Sequence, residues 1–177
     1  RPPVQGSVRA FRTRLEVGAP RDLTVLATGE RTARFERAGR SVSVWESGPQ
    51  DVRHVSVAAG RWQERRSDDV AVYHHVAHAG RAGELLTTLA AARGRYSEWF
   101  GAYPWAWLRL AVHPDHVTRA RAFPTLVHFS EGMGLHAGDG PGAPAAAMVV
   151  AHEAAHQWWA HLLTPAAGGG ADVLLEG

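Results

Sequence analysis

Through the first third of the chain, hydrophobic and polar positions alternate at a period of two, the pattern of half-buried β-strands. "VRAFRTRLEV" (8–17) predicts one strand, "APRD" a turn, and "LTVLATG" (23–29) a second strand. "RTARFERAG" and "SVSVWESG" read as a hairpin pair around Gly39. "VRHVSVAAGRWQER" reads as a further strand, bent at Ala59–Gly60. Four or five short strands with frequent turns predict part of a β-sandwich or an open antiparallel sheet. The polar "RRSDD" (65–69) reads as a boundary.

Beyond it the period changes. "VAVYHHVAH" predicts a strand; then Leu85, Leu86, Leu89, Tyr96 and Phe100 recur at helical steps, with Gly101 as the stop and Pro104 soon after. "WAWLRLAVHP" and "PTLVHFS" predict two more strands, and "GDGPGAP" a connecting loop. A long helix is predicted from about Ala145 to Leu163, with Pro144 near its first turn and Pro165 just past its end. "AAGGG" reads as a link and "ADVLLEG" as the start of another helix, with Asp172 the candidate N-cap. Strands first and a mixed region afterwards predict an α+β chain: an antiparallel β domain over 1–67 and an α+β domain over 68–177.

Composition removes several function classes. There is no cysteine, so disulfides and thiolate metal sites are excluded, and any metal must be held by His, Asp or Glu. Every basic residue is an arginine, and these are scattered at a net charge of +2, with no basic stripe for nucleic acid. No run approaches the ~20 apolar residues of a membrane span, and "RPPVQGSVRA" has no signal-peptide core. The missing Met and the ending inside a new helix read as a piece of a longer protein.

The chemistry concentrates in "VVAHEAAHQWWAHLL" (149–163). His152 and His156 are four apart, so on a helix both imidazoles reach one ion. Glu153 lies on a neighbouring part of that face, where it reaches the activated water and not the metal. A third ligand is needed, and Glu176 stands beyond the Pro165 stop and the glycine link, where a helical hairpin can return it to the site. Two His and one Glu suit a single Zn²⁺ with one position left for water. Glu153 would take the water proton and deliver it to the leaving amine. The competing reading is a buried alanine-rich helix with two histidines turned to solvent. That would leave Glu153 a charge beside Trp158 and Trp159 with nothing to compensate it.

"VVAHEAAHQWW" resembles the M1 family of zinc aminopeptidases, in which Gln-Trp closely follows the HExxH motif. The resemblance implies zinc on His152, His156 and Glu176, Glu153 as general base, and a thermolysin-like catalytic domain over 68–177, cut short at Gly177. One more residue separates His156 from Glu176 than is usual in that family. That spacing resembles thermolysin, and also an M1-like branch fused to bacterial ABC-transporter permease proteins, which "AHLLTPAAGGGADVLLEG" fits. "LTVLATGE", "VRHVSVAAGRWQ" and "YSEWFGAYPW" resemble the β domain and early catalytic domain of M1 proteins. The resemblance also implies an acidic residue on an edge strand that holds the substrate's α-amine. In "HFSEGMGLHA" this is Glu131, although the surrounding motif is not kept and an exposed loop acid is the competing reading. The family's transition-state tyrosine lies beyond the third ligand; Tyr73, Tyr96 and Tyr103 are all upstream.

The other histidines read as bystanders. His74 and His78 share a strand face but stand ~13 Å apart at strand rise, and His75 points the other way. His113 and His116 flank a proline turn. His161, nine residues after His152 on the same broad side, is an outer neighbour of the metal or a helix-end packing residue. Trp158 and Trp159 read as core wedges. The expectation is therefore a zinc metallopeptidase acting on peptides, as an aminopeptidase. Its alternatives are a transporter-associated domain that binds peptide or partner with little turnover, its parent holding membrane-embedded regions, and a thermolysin-like endopeptidase.

Overall fold

The computed structural model describes residues 10–115, 119–133, 135 and 142–163. The fold is α+β. The first half forms two antiparallel sheets. In the three-stranded one, β1 (Arg14–Ala19) and β3 (Glu30–Arg37) flank β4 (Arg40–Glu46); in the other, β2 (Thr24–Ala27) pairs with β5 (Val57–Gly60). The expected hairpin around Gly39 is present: Ala38 and Gly39 both take positive φ (50° and 75°), as the two-residue turn that matches strand twist requires. Gly29 has φ 92°, and a side-chain carbon there would sit 2.1 Å from the Glu46 carbonyl oxygen, so this position needs glycine.

The single bent strand expected at 52–65 is two strands in different sheets. β5 ends at Gly60, and β6 (Gln63–Ser67) pairs antiparallel with β7 (Val70–His74). The polar "RRSDD" stretch thus contains the turn of a hairpin, and the third sheet begins at Gln63. That sheet has five strands in the order β6-β7-β8-β10-β9, with β8 at Leu108–His113, β9 at Ala120–Phe123 and β10 at Leu126–Ser130. β7, β8 and β10 run parallel; β6 and β9 are antiparallel edges. β9 had no counterpart in the sequence pattern. After His74 the chain leaves the sheet for a 3₁₀ turn (Val76–His78), which replaces the expected end of the strand.

Helix α1 (Ala79–Phe100) buries Ala82, Leu85, Leu89 and Ala92, a stripe at three- and four-residue spacing, and stops at Gly101 with φ 102°. Each buried leucine contributes about 1.5–3 kcal/mol of apolar transfer. Helix α2 (Gly142–His156) starts inside the stretch expected as loop and continues into π-helical turns over Gln157–Leu162. Both helices cover one face of the five-stranded sheet. Strand alternation divides the two faces: Leu108, Leu110 and Val112 of β8 face the helices, whereas Ala111 faces Leu26, Ala27 and Trp45 of the first half. Arg109 is on that second face too. It is buried between the Trp45 and Trp107 rings and donates to the Gly29 carbonyl at 3.0 Å and to Glu30 at 3.2 Å. No helix among the described residues is long and apolar enough to cross a membrane.

Candidate metal centre

Val150, Ala154 and Trp158 recur at four-residue steps and are buried in the core, which turns His152 and His156 outward on another face of α2. Their Nε2 atoms lie 3.0 Å apart and their ring centroids 4.6 Å. Ligand atoms of His152, Glu153 and His156 all lie within 4.8 Å of one another. Glu153 is 7% exposed. Burial pushes its pKa above the usual carboxylate range; the charge of His152, the Ala122 backbone N–H and the charge of Arg121 act the other way. Burial, and then His152, hold His156 below the usual histidine value, so it favours the neutral form that binds metal.

The three residues open onto a cavity of about 400 Å³ whose opposite wall is β9. The π-helical turns supply His161, and the loop before β5 supplies His54; their rings meet edge to face at 6.4 Å. At 3.6 residues per turn, nine residues make about two and a half turns, so a regular α-helix would put His161 opposite His152. The wider π turns, marked by the Leu163 N–H bond to the Trp158 carbonyl at 2.7 Å, bring it to the cavity. His161 therefore lies on the expected side for a different reason. Its pKa is pushed down to about 3, first by burial and then by His54 and His156, and the Ala122 carbonyl opposes the shift.

Gln157, which follows the second histidine, is fully buried. Its Oε1 accepts from the Thr125 N–H at 2.9 Å and from the Tyr103 hydroxyl at 3.4 Å, and its Nε2 donates to the Phe123 carbonyl at 3.0 Å. It thus ties the motif helix to the β9–β10 turn. The sequence marked Gln157 only as part of a family pattern and gave no sign of His54, Arg121 or Ala122.

The remaining expected site residues fall elsewhere. Glu131 does not line the cavity. It follows β10, an interior strand, and its Oε1 is 3.0 Å from Nε2 of the buried His78. The edge strand beside the motif is β9, which carries no acidic residue. Within the 3₁₀ turn and its flank, His75 accepts from the Ala77 N–H. Trp158 is a core residue with its Nε1 donating to the Gly101 carbonyl at 2.8 Å; Trp159 is 44% exposed, its ring against Phe100 at 5.2 Å. Glu176, Pro165, Asp172 and His116 lie outside the described residues.

Compared with known proteins, the chain matches no family model and no curated sequence.

Proposed function

We propose that the chain carries the metal-binding core of a zinc-dependent metallopeptidase. The observation that carries this reading is the pair of facing imidazole nitrogens 3.0 Å apart, with a buried carboxylate beside them on the wall of a cavity. Two nitrogens on one tetrahedral zinc at about 2.0–2.1 Å stand about 3.3 Å apart, so the donor pair fits that ion, and a nitrogen-and-oxygen set without thiolate suits it chemically. His152 and His156 would hold zinc, with Glu176 the third ligand by resemblance. Zinc bound there supplies Lewis acidity, which acidifies water and polarises the scissile carbonyl.

Glu153 is the general base. Its raised proton affinity, caused by burial, suits it to take a proton from water and return it to the leaving amine. The Ala122 N–H orients the carboxylate. Among the described residues β9 is an edge strand, and its backbone groups other than those of Ala122 that Glu153 and His161 engage can take an extended peptide as an added strand. The aminopeptidase form would need an acid to hold the α-amine. Among the described residues lining the cavity Glu153 is the only acid, and Glu131 is engaged with His78. This favours the endopeptidase form of the reading, in which a free N-terminus is not required.

The test uses the full-length protein. It should bind one zinc and cleave an internally quenched peptide. Glu153→Gln should keep the zinc, measured by elemental analysis, and lose nearly all of the rate. Equal rates in the two proteins, or failure to bind zinc, would sink the assignment.

A further inference from the structure

We propose that Arg121 forms a subsite for a carboxylate of the substrate, so that the cavity selects acidic peptides. The proposal rests on the peptide-binding reading above and names its substrate class. Arg121 stands on β9, lines the cavity and is exposed. Phe123, two residues on and therefore on the same strand face, lies under its guanidinium at 5.4 Å. That stack steadies the side chain but leaves its planar N–H fork available for bidentate recognition of a carboxylate.

Among the described residues ten other arginines have a carboxylate partner. Arg121 has none; six further described arginines, Arg53 beside His54 among them, also lack one, but Arg121 alone of the seven lines this cavity. The charges of Arg121 and Arg53 both act on His54, and that of Arg121 reaches Glu153. Arg121 thus makes this wall of the cavity positive, and among the described lining residues the one acid is the buried base. Among the described residues a substrate ammonium meets no carboxylate but the base there, whereas a substrate carboxylate meets the Arg121 fork. On a peptide paired with β9, the side chain next to Arg121 would lie ~5 Å away, within reach of a glutamate or of a chain-terminal carboxylate.

The test separates this from turnover. Zinc-loaded full-length Glu153→Gln protein, which binds without cleaving, is titrated with acetylated, amidated alanine pentapeptides carrying a central Glu, Gln or Lys. A fourth peptide has the central Gln and a free C-terminal carboxylate. The Glu peptide or the free-carboxylate peptide should bind about fivefold more tightly than the amidated Gln peptide, the scale of one exposed charge pair. The preference should shrink with added salt and vanish when Arg121→Gln is added. Preference for the first assigns the subsite to a side chain, and for the second to the chain end. Equal affinities, no binding of either acidic peptide, or a preference unchanged by Arg121→Gln overturns the proposal. Charge-blind cleavage by wild type would remove the subsite and leave the peptidase; charge-selective binding without any cleavage by wild type would remove the peptidase and leave the subsite.

Discussion

The Gln157 side chain accepts a 2.9 Å hydrogen bond from the backbone N–H of Thr125, a β-branched residue held at φ 68°. Such a conformation costs about 1–3 kcal/mol and persists only where its surroundings determine it. Here they do. The Thr125 hydroxyl accepts from the Gly29 N–H at 2.8 Å and donates to the Gly29 carbonyl at 3.2 Å, and the Thr125 carbonyl accepts from the Arg109 N–H at 3.0 Å. One strained residue thus joins the first half, the sheet and the motif helix. The distance between Glu153 and β9 depends on that junction.

Gln157→Ala should therefore destabilise the metal-free protein by about 2–4 kcal/mol, because the Thr125 N–H and the Phe123 carbonyl both lose a buried partner. Gln157→Glu should not rescue it, since a carboxylate cannot donate to the Phe123 carbonyl. Urea unfolding measures both. A loss below about 0.5 kcal/mol, the scale of a surface substitution, contradicts the clamp.

Arg109→Met should cost about 3 kcal/mol, since it breaks a buried ion pair and strips Glu30 of its cation. Glu30→Gln should cost less: an amide oxygen still accepts from the Trp107 N–H, which now lies 3.1 Å from Glu30. The order of the two midpoints in denaturant checks this. The reverse order would mean that the buried Arg109 cation left without its carboxylate costs more than Glu30 left without its cation.

Local features of the fold were legible in the sequence and long-range ones were not. The leucine spacing of α1, its stop at Gly101 and the hairpin at Ala38–Gly39 depend on neighbours in the chain. So does the four-residue spacing that puts His152 beside His156. β9 escaped notice because "ARAF" has small and charged residues where a strand normally shows bulky ones, and only its pairing with β10 defines it. The break at Arg61–Trp62 depends on Trp62, whose Nε1 donates to the Val112 carbonyl at 2.9 Å, a partner fifty residues away. His78 was misplaced on a strand because nothing local announces its pairing with Glu131.

That pairing yields a direct test of the aminopeptidase form. If Glu131 served the substrate's amine, Glu131→Gln would raise KM for aminoacyl-anilide reporters by tenfold or more, the scale of one lost charge-assisted bond. Held instead by His78 outside the cavity, Glu131 should leave KM for reporters and quenched peptides unchanged, and its substitution should register as lost stability. A large KM effect confined to substrates with a free amine would restore Glu131 to the site.

The stability of the metal-free protein should rise with pH through the acid range, and His161 should be a main cause. Its folded pKa is about 3 against 6.5 for the free side chain. Below 6.5 the unfolded chain takes up a proton that the folded protein refuses, so stability falls as pH drops, and the fall levels off only near pH 3. His54, His128 and His156 are shifted the same way, each chiefly by burial. Glu153 has the opposite sign: its raised pKa favours the folded state below the ordinary value of 4.5, and that contribution is lost as pH rises through the folded pKa. Comparing wild type with His161→Gln cancels these other groups. Between about pH 4 and pH 6 the variant's stability should depend on pH less steeply by about one proton. Equal slopes in urea unfolding across that range would mean that His161 titrates freely in the folded protein.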